Sequence, residues 1–300
     1  MPGLLLPTAS NVRPSYKSGF ARSAAESANP GLWDGLAGSW CPAVGNTGIT
    51  TLRDLSGWDN HGTLTGSMTG ADWVQSQHGQ ALDLDGVDDH IALGATDRLS
   101  FGDSTTDEPF SIFARVKMDD ATKFHIITKG TGTNSAQYQF RVDGEEKLRV
   151  SLFDNSTWHR VDRTSTSTMT AREGEWVSFA STYDGSGAAT GIALYVDGKV
   201  IAASNTSGGS YVAMHNTTDP VLICGLLFGG ANAYANGQIA SAHIYSRILQ
   251  PAEIADLHAD HLAPFRLRRF TPTISGAAEA AAEWQPYWGL HATRFAGILT

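Results

Sequence analysis

Between residues 176 and 202 the chain reads WVSFASTYDGSGAATGIALYVDGKVIA, with apolar positions recurring at every second residue in its second half. Ile192, Leu194 and Val196 alternate with Ala193, Tyr195 and Asp197, the period of a strand whose side chains point to opposite faces. Asp197-Gly198 supplies the positive φ that a two-residue hairpin turn needs. The stretch predicts two strands and a tight turn into a third. The same period governs 110–118. Phe110, Ile112, Ala114, Val116 and Met118 share one face, Ser111, Arg115 and Lys117 the other, and Phe113 is out of pattern. Tyr138, Phe140 and Val142 are expected to point inward, with Gln137, Gln139 and Arg141 outward. Asp143-Gly144 then turns the chain, and Leu148, Val150 and Leu152 return with Lys147, Arg149 and Ser151 outside. That is an antiparallel hairpin with one wet face. Segments 81–85 and 90–94 flank a turn at 86–89, the apolar run 221–228 reads as a central strand, and 239–245 as another. One short helix is predicted over 252–261, opened by Pro251 and carrying Glu253 and Asp256 early. Together these elements predict an all-β, antiparallel two-sheet sandwich.

The flanks lack this period. Residues 1–30 hold Pro2, Pro7, Pro14 and Pro30 among small residues and read as an extended arm. After Pro264 the pattern stops, apart from a turn or two of helix expected over 277–283. The chain thus divides into an N-terminal arm (1–30), a sandwich (31–262) and a C-terminal aromatic tail (263–300). Aromatic residues without a strand pattern are either anchors for a partner surface or a cover for the sandwich's own edge. The partner-contact candidates are Phe265, Arg266, Arg268, Arg269, Trp284, Tyr287 and Trp288.

Composition sharpens this picture. With 41% hydrophobic and 17% charged residues, 300 residues can bury a sizeable core, and 32 glycines suit a turn-rich β protein. A net charge of −9 argues against nucleic acid as a partner. The two flanks each carry +2, leaving −13 between them, so the ends suit docking on acidic neighbours or reflect composition alone. Cys41 and Cys224 are expected as two buried thiols rather than a disulfide. No apolar run of about 18 residues is present, so no membrane span is expected. The apolar run 4–6 is too short for a signal peptide.

Candidate chemistry is sparse. Calcium binds six to eight oxygens on a flexible loop, and Asp54, Asp59 and Asn60 could offer some. The same residues could instead satisfy backbone groups in an Asx-type loop. Asp83, Asp85, Asp88 and Asp89 form a second acidic group that turn chemistry also explains. Trp158, His159 and Asn155, beside Asp154, combine an aromatic face with polar groups as a sugar site needs, or else cover the end of the sandwich. Glycoside hydrolysis needs two carboxylates facing each other at set spacing. Glu145-Glu146 and Glu173/Glu175 do not have it, and no Glu-x-Asp-x-Glu strand occurs, so no enzyme is expected. His258 and His261 stand at i, i+3, but nothing near them resembles a zinc motif.

The order of segments is informative. DLSGWDNHGTL (54–64), QALDLDGVDDHIAL (80–93), PFSIFARVKM (109–118), a hairpin, EWVSFASTYDG with LYVDGKVI (175–201), and GQIASAHIYSRILQPAEIADLH (237–258) together resemble the laminin-G-like, concanavalin A-like jelly rolls. The resemblance covers 31–262 and implies two facing antiparallel sheets with a short helix after the last strand. Its loop 54–62 supports a structural role for Asp54 and Asn60. Where other members often carry Ile-Asp-Glu in the last strand, this chain has Ile239, Ala240 and Ser241, so one carboxylate is missing. The flanks GFARS (19–23), NPGLWDGLAGSWCP (29–42) and APFR (263–266) also resemble virion proteins of tailed phages. That likeness implies a non-enzymatic structural virion protein, assembled in the host cytoplasm, that decorates the capsid or serves in the tail. Its partners would be other virion proteins, copies of itself and a host-surface glycan. The alternatives are a free bacterial carbohydrate-binding protein or a polysaccharide hydrolase or lyase.

Overall fold

The computed structural model describes residues 19–46, 50–131, 135–154, 159–227 and 232–269. The expected helical turn at 277–283 lies outside them, as do Asn155, Trp158, Phe228, Trp284, Tyr287 and Trp288. In chain order the first elements are β1 (Leu36–Trp40), α1 (Pro42–Gly45), β2 (Thr51–Leu52), β3 (Gly62–Thr65), β4 (Trp73–Ser76), β5 (Gly79–Asp85) and β6 (His90–Leu93). Then come β7 (Phe110–Met118), β8 (His125–Lys129), β9 (Tyr138–Val142), β10 (Lys147–Phe153), β11 (Arg160–Thr168) and β12 (Trp176–Tyr183). The chain continues through β13 (Ile192–Val196), β14 (Lys199–Val200), β15 (Ala203–Gly208), β16 (Val221–Ile223), β17 (Gly225–Leu226), β18 (Ala233–Tyr234), β19 (Asn236–Tyr245) and α2 (Pro251–Ala259).

Two antiparallel sheets face each other. One runs β14-β13-β12-β7-β19-β5-β4, with β1 also paired to β19; the other runs β15-β11-β10-β9-β8-β16-β6-β3-β2. Asp197 (φ 50°) and Gly198 (φ 76°) make the expected turn between β13 and β14. The 86–89 turn joins β5 to β6 across the two sheets rather than closing a hairpin, because β5 pairs with β19 and β6 with β3 and β16. β16 is a central strand, as its apolar run predicted. It stops at Cys224, whose positive φ (64°) breaks the extension before β17. Both cysteines are buried free thiols.

The core between the sheets contains the inward rows of β7, β9, β10 and β12, among them Phe110, Val116, Tyr138, Phe140, Leu152 and Phe179. A second apolar cluster lies on the other face of the eight-stranded sheet. There Phe113, Ala180, Tyr195 and Tyr245 are covered by Leu32, which precedes β1, by Ile254 and Leu257 of α2, and by Phe265 of the C-terminal flank. Phe113 broke the alternation because its face is covered too. For the same reason Ser111 and Arg115, on the face opposite the Phe110 row, are buried. Ser111 Oγ donates to the Arg247 carbonyl (2.8 Å), and Arg115 Nη2 donates to the His258 carbonyl.

The described parts of both flanks belong to this layer. Phe20 pairs with Arg266 and Ser27 with Leu267, each in an isolated antiparallel bridge, so 265–268 lies as a short strap between 20–21 and 26–28. The borders at 30/31 and 262/263 therefore fall within packed structure, and the compact unit extends to Arg268.

One polar anchor holds the connection from β15 to β16. The half-buried Asp107 carboxylate accepts hydrogen bonds from Tyr183 Oη (2.5 Å), Tyr211 Oη (2.7 Å) and the Met214 N–H (2.7 Å). Asp107→Ala leaves three donors without an acceptor and is expected to cost about 3 kcal/mol. A denaturation curve checks this; a loss under about 0.5 kcal/mol, the size of an ordinary surface change, would mean the connection is held by other contacts.

Candidate functional site: a polar groove on the nine-stranded sheet

The outer rows of β8 to β11 do not form an ordinary wet face. With Leu226, Asn232 and Ala233 they line a groove of about 670 Å³, and its wall carries Lys123, His125, Gln139, Arg141, Asp143, Glu145, Arg149, Phe153 and Arg160. The pleat places them there. Tyr138, Phe140 and Val142 enter the core, so Gln139 and Arg141 must face out, and Arg149 and Ser151 lie directly across from them on β10.

Charge in the groove is organised around Asp162, which is fully buried. Its Oδ2 accepts from Arg149 Nη2 (2.6 Å) and Arg160 Nε (2.8 Å). Burial alone would raise this carboxyl, but the hydrogen bonds from Arg149, Ser151 and Arg160 outweigh it and hold it below the usual range. Arg149 also lies 3.5 Å from Asp143. Arg141 is placed differently: its Nη1 donates to Gln139 Oε1 (2.5 Å) and Ser151 Oγ (3.3 Å), both neutral. Burial, and then the neighbouring Arg149, bring its pKa down to about 10, so it stays charged at neutral pH. His125, opposite Arg141 in the strand register, is only 4% exposed. Burial first, and then Arg141 and Lys123, push its pKa down to about 3, which keeps the imidazole neutral.

The residues singled out from the sequence fall in several places. Asp54 is fully buried, and its carboxylate accepts from the N–H groups of Ser39 (3.0 Å), Ser56 (2.9 Å) and Asn60 (3.1 Å) and from Ser56 Oγ (2.8 Å). Those four donors organise the loop in the Asx manner. Asp59 takes a positive φ (59°), and the Asn60 carbonyl accepts from Trp40 Nε1 (2.8 Å). Candidate ligand oxygens of Asp85, Asp88 and Asp89 gather within 4.8 Å of one another. There Asp85 Oδ1 accepts from the Val87 and Asp88 N–H groups, while Ser67 N–H reaches Asp88 and Asp89. His159 Nδ1 lies 3.6 Å from Asp154, on a segment bracketed by the groove residues Phe153 and Arg160. His258 Nδ1 bonds Ser178 Oγ (2.8 Å), whereas His261 is buried with Nε2 on the His78 carbonyl (3.2 Å). Phe265 is buried edge-on against Trp33 (5.6 Å between centroids) and is part of the chain's own cover. Arg266 holds Asp260 through Nε (2.5 Å) and Nη2 (3.0 Å), and Arg268 and Arg269 are exposed.

Sequence reasoning missed the groove, although Gln139, Arg141, Arg149 and Ser151 were on the row read as wet. The signal was their kind. A row of Arg and Gln, planar groups with several donors, differs from the Lys, Glu and Thr expected of a plainly solvated face.

A two-sheet antiparallel jelly roll with a polar groove across the outside of one sheet defines a lectin-like β-sandwich. The chain belongs to the concanavalin A-like lectin/glucanases superfamily, whose family model matches residues 85–255. No curated protein sequence matches it. Among solved structures it is similar to domain 4 of AbnA, a GH43 extracellular arabinanase from Geobacillus stearothermophilus solved with arabinotriose (17% identity, 74% of this chain and 98% of that one, TM-score 0.53). It is also similar to the binding domain of Botulinum neurotoxin DC solved with rat synaptotagmin II (16% identity, 77% of this chain and 52% of that one, TM-score 0.55). A third is the binding domain of Paraclostridial Mosquitocidal Protein 1 (14% identity, 77% and 53%, TM-score 0.51). At these identities the likeness is one of fold.

Proposed function

We propose that this chain is a non-enzymatic structural protein of a tailed-phage virion that displays a lectin-like jelly roll, with a host-surface glycan bound in the groove. The groove carries the glycan part: a polar, donor-rich wall beside the apolar ring of Phe153 suits hydroxyls and CH faces together. The virion part rests on the likeness of 19–23, 29–42 and 263–266 to virion proteins. It is supported by the first and last of these stretches meeting in one strap at the edge of the packed unit. The groove's carboxylates favour binding over hydrolysis, because each is engaged by a cation: Asp143 and the buried Asp162 by Arg149, and Glu145 by Lys147.

The test is incorporation. A chain lacking 270–300 keeps the strap and is expected to fold, yet to be missing from purified particles. Particles carrying it at full occupancy would overturn the virion reading. A second reading, a free bacterial carbohydrate-binding protein, is favoured by the likeness to the arabinanase domain. It predicts glycan binding by the full chain with no particle association in the host.

A further inference from the structure

We propose that the groove is built for an acidic glycan, one bearing carboxylate or sulfate groups, and that the Arg141 guanidinium receives the anionic oxygens. The inference rests on the glycan-binding reading above and names the ligand class for it.

Three observations carry it. First, Arg141 makes no ion pair: among the described residues no carboxylate lies within 4 Å of it, Asp162 and Asp143 act on it only from farther away, and Arg149 and Arg160 both hold Asp162. Its two hydrogen bonds go to neutral oxygens from one nitrogen, Nη1. A guanidinium presents five donors in a planar fork that matches a carboxylate or sulfate in paired fashion. A half-buried cation without a direct ion pair is costly to keep, and an arriving anion relieves that cost. Second, the groove opposes the chain's overall charge. Lys123, Arg141, Arg149 and Arg160 face two carboxylates, Asp143 and Asp162, while Glu145 is matched by Lys147 at 2.9 Å. A cationic groove on a chain of −9 concentrates anions where the rest of the surface repels them. Third, the buried Nδ1 of His125, beside Arg141, has no partner among the described residues. A neutral imidazole there offers a hydrogen bond to a sugar hydroxyl next to the anionic group.

The experiment titrates the full chain with 3′-sialyllactose, a hexuronate tetrasaccharide and a sulfated disaccharide, each beside its neutral counterpart. A glycan array with neutral and acidic members runs in parallel. At least one acidic ligand is expected to bind more tightly than its neutral counterpart, with affinity falling as salt rises. The carboxylated and sulfated arms identify which anion is read. Arg141→Gln is expected to weaken that binding about ten- to a hundredfold, the loss of a charge-assisted pair. Its melting temperature should stay level or rise, because an unpaired cation is removed; a purely structural arginine would lower it. Lys123→Gln, on the exposed rim, gives a smaller loss and serves as the second variant. Equal binding of acidic and neutral sugars, or unchanged acidic binding by Arg141→Gln, overturns the acidic assignment while leaving the glycan reading in place. No binding to any neutral or acidic glycan overturns both.

Discussion

A chain that ends at Leu262 is expected to lose its cooperative fold at room temperature, whereas one that ends at Arg268 keeps it. The difference is six residues. Phe265 is fully buried between Trp33, His243 and the α2 layer. Removing a buried phenylalanine costs about 3–5 kcal/mol through lost burial and the cavity left behind. The backbone adds more. The Pro264 carbonyl accepts from Ser27 Oγ (2.7 Å) and Trp33 Nε1 (2.6 Å), and the Ala263 carbonyl from Asn29 Nδ2 (2.9 Å). The Phe265 and Arg266 carbonyls accept from the N–H groups of Ala21 and Ala28, both at 2.7 Å. Deletion strands these donors, at about 1–3 kcal/mol for each that stays buried. The sum reaches the whole stability of an ordinary domain, about 5–15 kcal/mol. Phe265→Ala isolates the packing share and should lower stability by about 3–5 kcal/mol. Thermal melts followed by circular dichroism on the two truncated chains, Phe265→Ala and the full protein decide the matter. A chain ending at Leu262 that melts within a few degrees of the full protein would show the strap to be a passenger.

The strap marks where the sequence stops being legible. Strand period and turn chemistry are local, so the hairpins of β9–β10 and β13–β14 could be read directly, down to which residues face in. Coverage is not local. An alternating strand reports that its two faces differ, and it does not report whether the polar face meets water or another layer. Arg115 and Arg141 both occupied polar rows. One is sealed beneath α2, where it holds the His258 carbonyl, and the other forms the wall of a groove. Phe113 was the single residue on its row that betrayed a cover. The flanks failed for a related reason. Ala21, Ser27, Phe265 and Arg266 have no period because their strap partners stand about 240 positions away in sequence, a spacing no local pattern encodes. The Asp54 loop was the opposite case. Its Asx reading was legible because all but one of its bonds close within six residues.

The protein is also expected to lose stability steeply between pH 6.5 and 4, through three histidines that fold only in the neutral form. Burial, ahead of all other causes, pushes His243 down to about 4 and both His125 and His261 down to about 3. The bonding explains why His243 resists a proton. Its Nε2 faces the His261 carbonyl (2.9 Å), an acceptor only, so Nε2 carries the hydrogen and Nδ1 accepts from Ser39 Oγ (2.8 Å). His261 likewise donates from Nε2 to the His78 carbonyl, and its Nδ1 is buried without a partner among the described residues. A second proton on either ring would be an unpaired charge in the packed layer under the strap. In the unfolded chain each histidine titrates near 6.5, so between that value and the folded one the unfolded state binds more protons. The stabilisation is complete above pH 6.5 and is lost as pH falls toward the folded values. Each site contributes a slope of about 1.4 kcal/mol per pH unit, so at pH 5 the three together remove about 6 kcal/mol. Asp54 and Asp107 act in the opposite sense. Burial raises both carboxyls despite their hydrogen bonds, so the folded state gains protons there on acidification and offsets part of the loss. Urea denaturation at pH 7, 6 and 5 reads the slope directly. His261→Phe should flatten it by one proton, since it removes one site and leaves the other two. A stability that stays level from pH 7 to pH 5 would mean these rings reach solvent and take up their protons without unfolding.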